Sequence, residues 1–354
     1  MNIYELTVLE GFLTERTIFF RKDVSLSTIS WLRSGGSVKA LAYPKKKEEL
    51  LEILGFCFER SFEFKIIGSC SNILFNDKLV HSFFISTEYL NNTAIENDYL
   101  VASTGVQVGH FTRFALMAGL SGFEGLEGIP GTLGGAMALN AGAYGYTISD
   151  YLVRSTWWDS GELLEVDKGD MDIGHRRPLM PSPNSVFIEG MFQFPLGISK
   201  VSEKKIQVFH SARHRYQEFT FPNLGSIFVT NGENIHDLVV RSEKFVSQHG
   251  LLVSKLILLI FRCARTRVIS NYRRFFPFFN VYSYVLRRFV PELYELQGLS
   301  SRTLNTLANR SLGTKDFLLA IECLRTYLPD LVIENEVFTG CVFISKEMGD
   351  RDAN

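Results

Sequence analysis

The chain has 354 residues, room for two or three domains and for a sizeable buried core. Its composition, 46% apolar and 21% charged, excludes a disordered chain, and a net charge of −1 gives no global case for nucleic acid or an anionic membrane as partner. Five cysteines (Cys57, Cys70, Cys263, Cys323, Cys341) lie far apart with no CxxC pair, which excludes a zinc ribbon and a dense disulfide framework and fits a reducing compartment.

The opening stretch MNIYELTVLEGFLTER carries acids early and no apolar centre, so a secretory signal is not expected. After Pro44, the run KKKEELLEILGFCFER repeats Leu50, Leu51, Leu54 and Phe58 at helical spacing behind a charged first turn. A short β-rich run, FEFKIIG, follows and stops at Gly68; the turn Gly68-Ser69-Cys70-Ser71-Asn72 leads into the apolar run ILF. SFFIST and YLVAST read as further strands. VGHFTRFALMAGL reads as a helix with Phe111, Phe114, Ala115 and Ala118 on one face and Gly119 at its C-terminal cap.

Between Gly122 and Gly145 the composition changes: eight of the 28 glycines fall in these 24 residues, where an even spread would put about two. Beyond them, YLVRSTWWD and GELLEV form a predicted hairpin turning at Asp159–Gly161, and SVFIEGMFQFPL a further strand. The run of strands ends near Leu196, where VSEKKIQVFHSARHRYQ reads as a helix and a domain boundary is expected. From Leu256 to Val290 there is no acid but seven arginines (Arg262, Arg265, Arg267, Arg273, Arg274, Arg287, Arg288) among many aromatics. Such a mixture occurs in single-strand binders, but no RNA-binding motif accompanies it, so an insertion with its aromatics packed inward is expected. The longest apolar stretch, Leu251 to Phe261, is interrupted by Lys255, whereas a span needs about 20 residues. TLNTLANR and DFLLAIECLRTYL read as helices, and the alternating run IENEVF puts Glu334 and Glu336 on the same side of a strand.

The strongest chemical signal is Gly128 to Gly145, GIPGTLGGAMALNAGAYG. It holds no charged side chain, so an anion bound there is held by main-chain N–H groups, which glycine lets approach closely. No GxGxxG is present, which withholds support from a Rossmann site; GxSxG and HExxH are also absent, so neither a serine hydrolase of that type nor a metal site is indicated. His175, Arg176 and Arg177 fall together in IGHRRP, and arginine is suited to stabilising a developing oxyanion. Ser226 follows Gly225 in FPNLGSIF; a serine becomes a proton donor only with the right neighbours.

In this order the segments resemble the UDP-N-acetylenolpyruvoylglucosamine reductases (MurB), flavoenzymes of peptidoglycan precursor synthesis. The resemblance is carried by Trp31-Leu32-Arg33-Ser34-Gly35-Gly36, Gly68–Asn72, GLSGFEGLEGIPGTLGGAMALNAGAYG from Gly119, Arg176, RHRYQEFTFPNLGSIF and IENEV. It implies an α+β protein with an FAD-binding PCMH-type fold of two α+β subdomains (1–86 and 87–198) and an α+β substrate domain (199–354) carrying the basic aromatic insertion near 250–290. It implies FAD as cofactor, NADPH as reductant and a UDP-sugar as substrate; composition, charge, the short apolar run and the absent motifs give the expectation of a cytoplasmic location with no nucleic acid partner, no stable membrane insertion and no metal, and leave oligomeric state unread. By position Arg176, Ser226 and Glu336 match the family's arginine, proton donor and site-closing carboxylate. Gly68, Ser69, Cys70, Ser71, Asn72, Ile129, Pro130, Gly131, Thr132, Gly134, Gly135, Ala136 and Asn140 match its cofactor contacts, and His175, Gln217 and Asn231 its substrate contacts.

The chain also departs from the family. Gly-Ser-Cys replaces a triple glycine before Ser-Asn, His175 replaces a tyrosine, and Val229 stands where a lysine commonly follows Gly-Ser-x-Phe. SSRTLNTLAN is an eroded form of Ser-Glu-Lys-His-Ala-Asn-Phe. These departures keep open a paralogue that binds FAD but acts on another nucleotide-sugar, or a flavin-binding partner without catalysis.

Overall fold

The computed structural model describes residues 2–173, 179–228, 230, 233–265, 281–295, 298–300, 304, 306–309, 313–330 and 336–338. The chain opens with α1 (Ile3–Glu15), β1 (Phe20–Ser25), β2 (Ser37–Ala42), α2 (Lys47–Glu59), β3 (Lys65–Ile67), β4 (Ile73–Phe75) and β5 (Val80–Ser86). It continues through β6 (Thr93–Glu96), β7 (Tyr99–Ser103), α3 (Val108–Met117), α4 (Leu133–Ala138), β8 (Gly142–Ala143) and β9 (Tyr146–Thr147). Next come β10 (Leu152–Asp159), β11 (Glu162–Asp167), β12 (Val186–Phe192), α5 (Ser199–Tyr216) and β13 (Asn223–Ser226). The last part holds α6 (Ile235–Arg241), α7 (Glu243–His249), α8 (Leu251–Arg265), α9 (Val281–Phe289), α10 (Pro291–Glu295), β14 (Thr306–Ala308), α11 (Thr314–Arg325) and β15 (Glu336–Phe338). The fold is α+β.

The chain forms two compact units. The first comprises Met1–Ile29, Gly36–Cys70 and Val80–Ser211; the second comprises Ser30–Gly35, Ser71–Leu79 and Ala212–Asn354.

The first unit holds two sheets. In one, ordered β1-β2-β5-β3, strands β2, β5 and β3 run parallel and β1 is antiparallel to β2. α1 starts on a capping box in which the Asn2 side chain accepts from the Glu5 amide at 2.9 Å and the Glu5 carboxylate accepts from the Asn2 amide at 2.8 Å. α2 forms where expected, but it buries Leu50, Ile53, Leu54 and Cys57, not the stripe through Leu51 and Phe58; Phe58 is half exposed. These side chains cover Ala40, Ala42, Phe83 and Ile85 of the sheet. Burial pushes the Cys57 thiol up to about 12, so it packs as an inert apolar group.

The second sheet is antiparallel throughout, ordered β11-β10-β12-β7-β6, and contains the expected hairpin turning at Ser160–Gly161. Strand alternation sends the adjacent Trp157 and Trp158 to opposite faces. Trp157 joins Phe111, Phe123 and Phe192 in one core, while Trp158 joins the α1–α2 core. α3 packs on the Trp157 side through Val108, Phe111, Thr112 and Ala115; the expected stripe is displaced by one turn, because Ala118 is exposed and serves as the C-terminal cap, ahead of Gly119.

The second unit gathers α6 to α11 around Phe228, Val239, Phe245, Phe261, Leu286, Leu293 and Phe317. Two small strand pairs border it: β13 with β14, antiparallel, and β4 with β15, parallel. The expected helix over TLNTLANR is corrected here, since Thr306–Ala308 is a strand with all three residues buried. The Leu304/Leu307 spacing that mimics a helix arises because both leucines enter one core from a turn and a strand. No helix among the described residues is long and apolar enough to cross a membrane; α7 and α8 reach that composition only as a pair bent by 114°.

His236, at the start of α6, is buried with its Nδ1 against Asn234 Oδ1 at 2.9 Å and its ring beside Tyr282. Burial lowers its pKa from 6.5 to about 3. The ring therefore stays neutral in the folded protein while the unfolded chain protonates, so its contribution is complete above pH 6.5 and erodes as pH falls toward 3. Urea unfolding at pH 7 and pH 5 should show a loss of about 2 kcal/mol from this group, at about 1.4 kcal/mol per unit. His236→Gln should flatten that slope.

Candidate functional site

In the first unit the two loops singled out from sequence meet. β3 delivers Gly68 directly against Thr132: a Cβ on Gly68 would lie 2.2 Å from Thr132 Oγ1. Glycine is therefore required at 68 by close approach. The same holds at Gly134, where a Cβ would lie 2.3 Å from Thr104 Oγ1. A third segment, Thr104–Gln107 after β7, ties the loops together. The Gln107 side chain donates to Ser69 Oγ at 2.7 Å, and Val108 N donates to Gly131 O at 2.9 Å. In return, Leu133 N donates to Val106 O at 2.7 Å and Gly134 N to Thr104 O at 2.8 Å.

These bonds narrow the expected main-chain grip. Between 129 and 136, the amides of Ile129, Leu133, Gly134, Gly135 and Ala136 bond within the chain, and Pro130 has none to offer. Among the described residues no partner takes the amides of Gly131 and Thr132, two buried residues. Buried amides are nearly always paired, so an unpaired adjacent couple beside a cradle walled by Gly68 fits an anionic group such as the diphosphate of a dinucleotide.

Cys70 is buried with φ of 51°, a left-handed conformation that glycine adopts freely. That conformation accounts for the cost of a side chain here. Cys70→Gly should keep the loop intact, whereas β-branched Cys70→Val should cost about 1–3 kcal/mol, read as a fall in thermal midpoint. Asn140, also expected at the site, is buried just past α4 with φ of 44°.

Sequence reasoning missed the two acids that anchor the glycine-rich loop. Glu124 is fully buried and accepts from Ser202 Oγ at 2.7 Å and Gly122 N at 3.0 Å, with Lys205 Nζ at 3.7 Å. Burial pushes its carboxyl up, but the Ser202 hydroxyl, the main-chain donors and Lys205 outweigh it and hold it below the usual range. Glu127 accepts from Thr112 Oγ1 and faces His210 Nε2 at 3.6 Å and Arg113 Nε at 3.9 Å. The available signal was two acids inside a block otherwise made of small and apolar residues.

The second unit carries the other candidates. Ser226 ends β13 opposite Thr306, with its side chain exposed. The turn leading to it is knitted by Asn223, which accepts from Gly225 N at 3.0 Å and donates to the carbonyls of Glu218 and Phe221 at 3.0 Å each. Buried Glu218 accepts from Ser300 Oγ and Thr220 N, each at 2.7 Å; burial raises its pKa, and these bonds reverse the shift to below the ordinary value. Gln217 is exposed at the end of α5. Glu336 opens β15 opposite Ile73, the residue after Asn72, so the backbone of the predicted carboxylate runs beside the end of the Gly68–Asn72 motif.

Two further residues escaped sequence analysis. Asp77 accepts from Gly35 N at 2.7 Å and from Thr314 N, and Asn309 Nδ2 donates to Leu32 O at 2.5 Å. They fasten the Trp31–Gly35 part of the motif within the second unit. Arg176, His175, Asn231, Val229 and Glu334 lie outside the described residues. Among the described residues no cluster of three His, Cys, Asp or Glu suits a metal ion.

A family model described as an FAD binding domain matches residues 38–166. A UDP-N-acetylenolpyruvoylglucosamine reductase of Caldicellulosiruptor bescii is 30% identical over 224 residues, covering 62% of this chain and 71% of that protein. One from Listeria monocytogenes is 29% identical over 212 residues, covering 60% and 71%. The crystal structure of UDP-N-acetylenolpyruvylglucosamine reductase (MurB) from Thermus caldophilus superposes with a TM-score of 0.64 at 20% identity, over 90% of this chain and 100% of that one. The last likeness bears on the fold alone.

Proposed function

The chain belongs to the UDP-N-acetylenolpyruvoylglucosamine reductase family, and from that premise we infer the reaction and the part each residue plays in it. The protein is an FAD-dependent, NADPH-consuming oxidoreductase that reduces UDP-N-acetylglucosamine enolpyruvate to UDP-N-acetylmuramate for peptidoglycan synthesis. One molecule each of substrate, NADPH and proton gives product and NADP+. The observation that carries the reading is the cradle in which Gly68 abuts Thr132 while the amides of Gly131 and Thr132 are left to an outside acceptor. This arrangement fits FAD, with Gly68–Cys70 and Gly131–Thr132 holding its diphosphate. The subdomains 1–86 and 87–198 share the cofactor, and 199–354 receives the UDP-sugar.

Held by Gly68–Cys70 and Gly131–Thr132, FAD would supply the hydride chemistry that links NADPH to the enolpyruvyl double bond. The chain's own side chains manage charge and protons. Hydride addition leaves carbanion character beside the substrate carboxylate; Arg176 offsets that charge and Ser226 donates the proton to the adjacent carbon. A serine hydroxyl donates only to a strong base, which such a carbon is. The bonds of Asn223 fix the backbone turn that leads into Ser226 and so set where the residue stands. Glu336 closes the site beside Ile73, and His175, Gln217 and Asn231 orient the UDP-sugar. A reductase drawing on NADPH and a nucleotide-sugar works where both are made, and we assign it to the cytoplasm.

The test is optical. Purified protein should be yellow, should bleach on anaerobic addition of NADPH, and should regain colour with UDP-N-acetylglucosamine enolpyruvate. Protein that stays colourless after incubation with FAD and desalting would overturn the assignment.

A further inference from the structure

α8 has two contrasting faces. Ser254, Ile257, Phe261 and Ala264 are buried, with Ile257 and Phe261 in the core of the second unit beside Tyr282 and Leu286 of α9. Of the aromatics expected to pack inward, Tyr282 is buried and Tyr284 is exposed, while Tyr272 and the run at 275–279 lie outside the described residues. The opposite face presents Leu252, Leu256 and Leu259, which are 84%, 58% and 54% exposed, with Ile260 and Cys263 alongside. At the helical repeat these five residues occupy an arc of about 100°. Exposed leucines occurring singly need no explanation, but a stripe three turns long does.

Charge supplies that explanation. Lys255 and Arg262, both exposed, run along one border of the stripe, and α9, packed on α8, adds exposed Arg287 and Arg288. Neither helix contains an acid. The net charge of −1 for the whole chain conceals this local excess.

We propose that the exposed face of α8 docks flat on an anionic lipid surface. The leucines enter the boundary between headgroups and acyl chains, while Lys255 and Arg262 extend to lipid phosphates on their flexible stems. The helix lies on the membrane and does not cross it: 15 residues span about 22 Å, short of a core of about 30 Å, and α7 departs at a bend of 114°. A second copy seated antiparallel on the same face about a two-fold axis would bring these cations against their own counterparts, whereas an anionic bilayer meets both the apolar stripe and its basic border. The proposal is independent of the cofactor and of the reaction.

The experiment uses the full chain and sucrose-loaded vesicles, either of phosphatidylcholine alone or with phosphatidylglycerol at about one part in three. The protein should sediment with the anionic vesicles and not with the neutral ones, and added salt should release it. Leu252→Ser/Leu256→Ser should weaken binding by about tenfold or more while circular dichroism stays unchanged. Lys255→Gln/Arg262→Gln, which leaves the apolar stripe intact, should weaken it by about tenfold or more as well. Failure to sediment with anionic vesicles overturns the proposal, as does binding that the leucine pair does not change. A wild-type dimer that the leucine pair converts to monomer also overturns it, because a second copy is then the occupant.

Discussion

Gly68→Ala should strip the protein of flavin. The added methyl group would stand 2.2 Å from Thr132 Oγ1 and 3.1 Å from both Thr132 Cβ and Cγ2, so no rotation of the threonine clears it. Thr132 is also the N-terminal cap of α4, its Oγ1 accepting from Gly135 N, and it is buried. The loops must then separate, and separation displaces the Gly131 and Thr132 amides from the cradle. Overpacking of this kind costs about 1–3 kcal/mol, which if charged wholly to cofactor binding is about a 5- to 150-fold loss of FAD affinity. Flavin absorbance after desalting and titration with FAD would measure it. In Gly68→Ala/Thr132→Ala the obstructing oxygen is gone, so the combined loss should be smaller than the sum of the two single losses. A Gly68→Ala protein that holds FAD as wild type does would show that the two loops do not form the cradle.

Ser226→Ala should leave the protein yellow and leave bleaching by NADPH unchanged, while slowing recovery of colour with the enolpyruvyl substrate by about 10²–10⁴-fold, the contribution of a positioned proton donor. The split between the half-reactions is the informative readout. Ser226 is exposed at the end of β13, and the Asn223 bonds that shape its turn do not involve its hydroxyl, so alanine removes the donor without disturbing the strand. Equal recovery rates in wild type and variant would remove Ser226 from the reaction. Loss of bleaching as well would mean that the substitution acts on cofactor or reductant binding.

Local signals in the sequence were readable wherever the neighbours along the chain decide the structure. α2 after Pro44, the hairpin turning at Ser160–Gly161, α5 and α11 all follow from periodicity and turn chemistry within a few residues. The density of glycine located the cradle, because only a backbone in close contact needs so many. What escaped depends on distant partners. Glu124 gains its importance from Ser202 and Lys205 on α5, and Asp77 from Gly35 and Thr314. No spacing pattern announces either. The segment at Thr306–Ala308 misled for the same reason: its three residues become a strand only because Asn223–Ser226 pairs with them. The leucines of α8 were visible as an apolar run, but only the packing of Phe261 and Ile257 showed which of them face outward.

The second unit is assembled from three stretches of chain, two of them short excursions at Ser30–Gly35 and Ser71–Leu79 that emerge long before the rest. During synthesis these pieces leave the ribosome without the strand, side chains and helix that later secure them, because β15, Asn309 and Thr314 arrive near the end. Until then β4 has an unpaired edge. Premature termination between Ser211 and Asn309 would therefore release a protein whose early half has folded around two unclaimed segments, a species suited to capture by chaperones or to aggregation.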